Sequence, residues 1–173
     1  VTIDGGERYV KQTTRNHCLI ATASGTQKLT VPVTAANGML TKDVRVSDHG
    51  DWRHLHWQAL CSAYGQSPFF DYYADDIRPF YERRWDFLID YNQAITCKMK
   101  ELTGIDDYNN CNNYNDYNHH KNNSDYNNYS HYNRQQYYQT FRRRNGFIPG
   151  LSVLDLLFNM GPESILYLIK YKH

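Results

Sequence analysis

The sequence has no apolar run of the roughly 18 to 20 residues that a membrane-spanning helix needs. It also has almost no net charge, because 19 Lys and Arg residues stand against 18 Asp and Glu residues. A strong positive field, which attracts nucleic acid and anionic membrane surfaces, is therefore not indicated. These absences predict a cytoplasmic protein with no membrane segment and no nucleic-acid partner, and they leave the oligomeric state open.

The motifs of common nucleotide-binding and metal-dependent enzymes are missing as well. The chain contains no Gly-rich phosphate loop, no G-x-S-x-G and no zinc-type spacing. Its four cysteines are scattered, with no C-x-x-C pair, and this favours reduced thiols. The sequence thus predicts neither a metal site nor a cofactor.

The arrangement of strand and helix signals favours one α+β domain spanning residues 1–173, a length that suits a single core. We expect a small, mostly antiparallel sheet in the first third of the chain, covered by helices. The predicted strands are residues 1–3, 9–13, 18–23, 28–33 and 43–46. Because Pro32 cannot donate to a ladder, its strand should be an edge strand or should end there. The predicted helices start after Asp48 or Asp51, after Ser67-Pro68, and at Asp76 or Pro79; the last runs to Thr103 and Gly104.

Residues 146–163 carry the densest helix punctuation in the chain. Ser152 followed by Asp155 resembles a capping box, which starts a short helix. Gly161 is suited to end that helix in a left-handed turn, and Pro162 to begin the next one. Because the helix has almost no polar face, we expect it to be buried nearly all round.

A composition change marks residues 108–136, which are dominated by Asn and Tyr and contain almost no aliphatic side chain. Such a segment cannot bury enough apolar surface to offset the entropy lost on ordering. We therefore predict a disordered, low-complexity insert within the domain. A prion-like or metal-binding tract built on His119, His120 and His131 is the alternative.

Three groups of polar residues are candidate sites. Lys11, Arg15, Asn16 and His17 concentrate hydrogen-bond donors that could hold a phosphate or carboxylate, although a solvated strand face would look the same. Either His54 or His56 could act as a general base, and the alternative for His56 is a core histidine. The carboxylates of residues 75 and 76 could bind Mg²⁺ or simply cap a helix.

One more polar residue interrupts an apolar stripe of the last long helix. Asn92 stands among residues spaced alternately by four and three, so its side chain faces the core. A buried amide without a hydrogen-bond partner costs about 1 to 3 kcal/mol. Asn92 is therefore predicted to have a specific partner.

The chain resembles the WbqC-like proteins of bacterial surface-polysaccharide gene clusters. The resemblance rests on YVKQTTRN at residues 9–16, LTVPV at 29–33, KDVRVSDHGDWRHLHW at 42–57, SPFFDYY at 67–73, PFYE at 79–82 and the closing segment 151–163. It implies a role in O-antigen biosynthesis, with acyl transfer to a nucleotide-linked amino sugar as the suggested reaction. A nucleotide sugar or an acyl donor is the implied partner.

The resemblance and the residue chemistry together give the predicted site. Lys11 and His56 are the predicted catalytic residues. The predicted substrate-binding residues are Arg15, Asn16, Asn92, Asp155 and Asn159.

Departures from the family pattern support an alternative function. The family usually carries Arg at the position of His17, His at that of Asn145 and Asn at that of Gly150. It also usually begins with a strand and helix upstream of Val1, so the resemblance implies an N-terminally truncated chain. A non-enzymatic interaction protein or an inactive paralogue is therefore the alternative to a transferase.

Overall fold

The computed structural model describes residues 5–10, 13–35, 38–105 and 135–169, and its order of elements confirms the α+β class. None of the helices in these ranges is both long and apolar enough to cross a membrane. The strands are β1 (His17–Thr22), β2 (Gly25–Thr30), β3 (Val33–Thr34) and β4 (Arg45–Val46). The helices are α1 (Trp52–Tyr64), α2 (Phe70–Ile77), α3 (Pro79–Glu82), α4 (Leu88–Thr103), α5 (Arg142–Asn145), α6 (Val153–Met160) and α7 (Ser164–Ile169), with short 3₁₀ turns at Thr41–Asp43 and Gly161–Glu163.

The strands form two small antiparallel sheets rather than one. β1 pairs with β2 from His17 opposite Thr30 to Thr22 opposite Gly25, and β3 pairs separately with β4. The strand predicted at residues 28–33 ends at Thr30, as expected of a strand that reaches Pro32, because proline lacks the N–H that would continue a ladder. The chain leaves β2 before this proline and enters β3 after it.

The first two predicted strands fare differently from the hairpin. Residues 1–3 lie outside the described residues, as do Lys11 and Gln12. Within residues 9–13, the described backbone forms no strand. Tyr9 instead donates its N–H to the Met39 carbonyl at 2.8 Å, beside an isolated bridge between Arg8 and Leu40.

The long helix predicted from residue 76 or 79 is interrupted at residues 83–87. Arg83 and Phe87 adopt extended backbone conformations, which ends α3 and delays α4 to Leu88. The segment that interrupts the helix forms backbone hydrogen bonds with β4 and the residue before it. Val46 donates its N–H to the Asp86 carbonyl at 3.0 Å, and Leu88 donates its N–H to the Val44 carbonyl at 2.9 Å. Helical spacing alone did not reveal this break. The predicted end is confirmed, because Gly104 closes α4 with φ of 72°.

The buried helix α6 is confirmed, and so is the start at Ser152. Its six residues from 154 to 159 are all buried, and the Ser152 hydroxyl accepts the Leu154 N–H at 3.3 Å. Gly161 ends the helix with φ of 55°, where an added Cβ would lie 2.5 Å from the Phe69 ring. The capping-box role predicted for Asp155 is wrong, because its carboxylate bonds to other side chains and the Ser152 N–H donates to Leu19.

The described cysteines are not all reduced. Cys18 and Cys61 are free thiols, and burial raises the pKa of both. Cys97 is disulfide-bonded, so the prediction of a free thiol is wrong for this residue.

The segment predicted to be disordered, residues 108–136, lies outside the described residues except for positions 135 and 136. Both of these positions are exposed and belong to no helix or strand. The insert and the single-domain division around it stay predictions.

Candidate functional site

A cavity of about 220 Å³ lies where β1, α1 and α4 meet the start of α6. Four of the predicted site residues line it, although they are distant in sequence: Arg15, Asn16, His56 and Asn92. Apolar side chains of β2, α4 and α6 complete the wall. The structure therefore brings together residues that the sequence could only suggest one by one.

The turn before β1 is fixed in place by backbone and amide hydrogen bonds. Val31 donates its N–H to the Asn16 carbonyl at 2.8 Å, and Asn16 Nδ2 donates back to the Val31 carbonyl at 3.1 Å. From the other side, Asn92 Nδ2 donates to the Arg15 carbonyl at 2.7 Å. This contact confirms the prediction that Asn92 has a specific partner, and it ties the turn to α4.

Arg15 is the charged side chain of the cavity, and it already has a carboxylate partner. Its guanidinium forms an ion pair with Glu7, and the two side chains are 30% and 31% exposed. An anionic ligand at Arg15 must therefore share the guanidinium with Glu7. Because Arg has five N–H donors, one carboxylate leaves donors available.

His56 is buried, with 8% of its surface exposed, while His54 on the same helix is exposed. The His56 ring packs edge-on against Trp52 at 5.2 Å and against Tyr81 at 6.2 Å between centroids. Burial lowers the pKa of His56 to about 4, and a hydrogen bond to the Thr30 backbone partly offsets that shift. At neutral pH the imidazole is therefore uncharged. A ring nitrogen that donates to the Thr30 carbonyl leaves the other as a proton acceptor.

Two buried tyrosines of the cavity, Tyr81 and Tyr91, are not among the site residues predicted from the sequence. Burial raises the pKa of both Tyr81 and Tyr91 well above the usual tyrosine value. Both phenols are consequently protonated at neutral pH. Tyr91 lies four residues before Ile95 and eight before Met99, which also line the cavity. That helical spacing was the available signal for Tyr91.

Asp155 does not line the cavity, and its own side chain is fully buried at the centre of a polar cluster. Its Oδ1 accepts from the Tyr64 hydroxyl at 2.9 Å, and its Oδ2 accepts from the Tyr137 hydroxyl at 2.7 Å and from Gln139 Nε2 at 3.3 Å. Tyr64 in turn accepts the Ala21 N–H at 3.1 Å. The cluster therefore joins β1, α1, α6 and the segment that precedes α5.

Asn159 continues this cluster one helical turn later. Its Oδ1 accepts from the Thr140 N–H at 3.1 Å and from the Thr140 hydroxyl at 2.7 Å, while its Nδ2 donates to the Asp155 carbonyl at 2.7 Å. The side chains of Asp155 and Asn159 thus form their hydrogen bonds within the protein. Their predicted role in substrate binding remains a prediction, as does the catalytic role of Lys11, which lies outside the described residues.

The three departures from the family pattern have identifiable surroundings. Asn145 Nδ2 donates to the Thr22 carbonyl at 2.8 Å, and His17 lines the cavity. Gly150 has φ of 75°, a conformation that Asn also tolerates better than most residues, so glycine replaces asparagine there without backbone strain. Among the described residues, no group of three His, Cys, Asp or Glu side chains could hold a metal ion.

Comparisons with known proteins agree with the family resemblance of the sequence. The model of the WbqC-like protein family matches residues 6–112 and 101–167. An uncharacterised protein of Mycobacterium tuberculosis, Rv1507c, is 27% identical over an alignment that covers 93% of this chain and 84% of that relative. No solved structure matches the chain.

Proposed function

Because the chain belongs to the WbqC-like protein family, we propose that it is a transferase of bacterial surface-polysaccharide (O-antigen) biosynthesis. In this proposal it transfers an acyl group to a nucleotide-linked amino sugar. The observation that carries it is the shared cavity of Arg15, Asn16, His56 and Asn92. These residues combine an anion-binding group, amide groups and a neutral imidazole, which are the groups that amide formation needs.

The proposed reaction joins the amine of the sugar to the carbonyl carbon of an acyl thioester. As the C–N bond forms, the C–S bond breaks and the thiolate leaves. The nitrogen loses a proton to the free ring nitrogen of His56, and this proton then passes to the thiolate, so the products are an amide and a thiol. The pKa of about 4 makes His56 a weak base in the free protein, so the proton transfer is driven by the positive charge that the nitrogen carries once the C–N bond has formed.

In this proposal only the reacting end of the substrate enters the cavity. Pockets for drug-sized ligands usually measure about 300 to 1,000 Å³, and this cavity measures about 220 Å³. The nucleotide must therefore remain outside. Arg15, with 30% of its side chain exposed, is positioned to contact a phosphate there.

The proposal is tested by incubating the protein with a nucleotide-linked amino sugar and an acyl-coenzyme A thioester and detecting the amide product by mass spectrometry. We expect His56→Gln to lower the rate by about 10²- to 10⁴-fold, the usual contribution of a general base. His54→Gln, an exposed change on the same helix, should leave the rate unchanged. Arg15→Ala should remove the thermal stabilisation that the nucleotide sugar gives.

Two results would contradict the proposal. One is full activity in His56→Gln with an unchanged melting temperature. The other is the absence of any stabilisation or product with nucleotide sugars and acyl thioesters at millimolar concentration.

The second result would favour a non-enzymatic interaction protein or an inactive paralogue. The Arg15–Glu7 ion pair is the observation that supports this second candidate, because it gives the guanidinium a purely internal partner. Glu7→Gln discriminates between the two functions. It should strengthen phosphate binding in a transferase and have no ligand effect in an inactive protein.

A further inference from the structure

One face of α4 lines the cavity, and this face is divided into a polar row and an apolar row. Asn92 and Thr96 are four residues apart, so their side chains follow one another along the helix. Ile95 and Met99, at the same spacing, form the neighbouring row. The helix therefore presents hydrogen-bonding groups to the cavity beside an apolar strip.

The polar row has hydrogen-bonding capacity that the protein does not use. Asn92 donates Nδ2 to the Arg15 carbonyl at 2.7 Å, which fixes the orientation of the amide and leaves its Oδ1 without a partner among the described residues. The Thr96 hydroxyl likewise has no hydrogen-bond partner in the described part of the chain. Neither atom is closed off, because the only buried and unpaired side-chain polar atom of the described residues is Asn16 Oδ1. Both groups are consequently open to a ligand.

The remaining polar side chains of the cavity are exposed, uncharged or engaged. The Ser152 hydroxyl accepts a backbone N–H at the start of α6 at 3.3 Å. Thr14 is exposed, and the Arg15 side chain beside it is 30% exposed. Partial burial and the charge of Lys28 lower the pKa of His17, so its ring is neutral at pH 7. Polar but mostly uncharged groups thus surround the interior, with the positive charge of Arg15 near the solvent.

A neutral ligand with several hydroxyl groups matches this wall better than an acyl chain does. Asn92 Oδ1 can only accept, so an O–H or N–H of the ligand must satisfy it, whereas the Thr96 hydroxyl can donate or accept. An alkyl chain would remove water from both groups without replacing the lost hydrogen bonds. A sugar ring carries hydroxyl groups around its rim and C–H groups on its faces, so it can bond to the polar row while it covers the apolar one.

We infer that the cavity is the amino-sugar subsite of this protein, in which ring hydroxyl groups bond to Asn92 Oδ1 and to the Thr96 hydroxyl while a C–H face of the ring packs against Ile95. This inference rests on the proposed function and specifies which substrate enters the cavity. The phosphates of the nucleotide stay outside near Arg15, and the amine of the sugar faces His56, which is 8% exposed. Asn92 and Thr96 are thereby specificity-determining residues.

The first test measures, by calorimetry, the binding of UDP- and dTDP-linked sugars that carry the amine at ring carbon 2, 3 or 4, with UDP and dTDP as references. At least one of these sugars should bind about 5- to 100-fold more tightly than its nucleotide, because two hydrogen bonds are added. Thr96→Val, which keeps the shape of the side chain, should reduce this ratio by about 3- to 10-fold. Thr26→Val, the same change at an exposed position of β2 that does not line the cavity, should leave it unchanged.

The second test identifies the hydroxyl group that Thr96 binds. Analogues of the tightest-binding nucleotide sugar, each lacking one ring hydroxyl, are compared in wild type and in Thr96→Val. One analogue should bind wild type about 3- to 10-fold more weakly and lose nothing further in the variant, since the contact is already absent. A second analogue should be coupled in the same way to Asn92→Ala. Losses that simply add for every analogue would overturn the assigned contacts.

Three outcomes separate this inference from the proposed function. A gain in affinity from the sugar that Thr96→Val does not change would place the sugar outside the cavity and overturn the inference. If the nucleotide sugars bind no more tightly than their nucleotides but amide product still forms with acetyl-coenzyme A, the sugar subsite is wrong and the transferase proposal stands. If neither nucleotide sugars nor acyl thioesters bind the wild-type chain, both fail.

Discussion

Two regions of this molecule contain similar amides and tyrosine hydroxyls but treat them in opposite ways. Around Asp155, three donors meet one carboxylate, and Asn159 uses both its amide oxygen and its amide nitrogen in internal bonds. In the cavity, Asn16 Oδ1 is unpaired among the described residues. The comparison indicates that packing satisfies the polar side chains around Asp155 and leaves one buried acceptor of the Asn16 turn unpaired.

The largest effect should come from removing the centre of the Asp155 cluster. Asp155→Ala removes the carboxylate acceptor of the Tyr64 and Tyr137 hydroxyls and one of the two acceptors of Gln139 Nε2, which keeps the Ile148 carbonyl at 2.8 Å. We expect the free energy of unfolding to fall by on the order of 4 kcal/mol, because several buried donors lose their partner together. Urea denaturation measures this loss. Asp71→Ala, an exposed carboxylate of α2, should change it by less than about 0.5 kcal/mol, and comparable losses in the two variants would refute the distinction.

The second effect is a pH dependence that belongs to the cavity. The folded-state pKa of His56 is about 4, below the unfolded value of about 6.5. Between these values the unfolded chain binds a proton that the folded chain does not, so stability falls as pH decreases through this window. The His56 contribution should be intact above about pH 6.5 and reduced by up to about 3 kcal/mol near pH 4.

This pH effect is isolated by subtracting the unfolding free energies of His56→Gln from those of wild type across the window. The subtraction matters because burial raises the pKa of Asp155, whose contribution therefore has the opposite slope. A difference that does not change between pH 6.5 and 4 would mean that His56 titrates normally.

A third prediction concerns the turn that ends α6, beside the Asp155 cluster. Gly161→Ala combines a left-handed backbone with a Cβ placed 2.5 Å from Phe69, and should cost roughly 2 kcal/mol or more. Gly150→Ala is the matched control, because it has φ of 75° and no atom within 4 Å of the added Cβ. That variant should lose only the conformational part, about 1 kcal/mol. Thermal denaturation of both variants tests whether packing against Phe69 accounts for the difference.

The smallest effect is the most direct test of the comparison. Asn159→Ala leaves the N–H of Thr140 unpaired and removes one of the two partners of its hydroxyl, the other being Ser67 at 2.8 Å, and should cost roughly 2 kcal/mol. Asn16→Ala loses one bond to Val31 but also removes an unpaired acceptor, so its cost should stay within about 1 kcal/mol. Denaturation curves of the two variants give the difference. An equal or larger loss in Asn16→Ala would show that its amide oxygen is satisfied in the native protein.

Local signals in the sequence were sufficient for several of these features. The Ser152 cap, the Gly161 turn and the burial of α6 follow from residues within one or two helical turns of each other, and the structure agrees. The burial of His56 and the exposure of His54 were visible in the same way, from the spacing of residues on one helix. Family membership was also accessible, because its motifs are contiguous segments.

Other features depended on contacts that no local pattern encodes. The interruption of the predicted long helix at residues 83–87 arises because β4 and the residue before it take up the backbone bonds of Asp86 and Leu88. The separation of Asp155 from the cavity depends on Tyr64 and Tyr137, which are 91 and 18 residues away in sequence. A capping-box pattern therefore predicted the wrong partner for the right helix.

The amino-acid sequence determines both ends of α6, the end of α4 at Gly104, the break at Pro32 between β2 and β3, and the family, because each depends on neighbouring residues. Which polar groups are satisfied and which are left unpaired was decided by packing between distant segments. Asn16 and Asn159 have the same side chain but different surroundings. The Asn16 turn is held by Val31, which follows β2, and by Asn92 of α4, whereas Asn159 of α6 contacts Thr140. Hydrogen-bond satisfaction is a property of the assembled interior, and no single segment contains it.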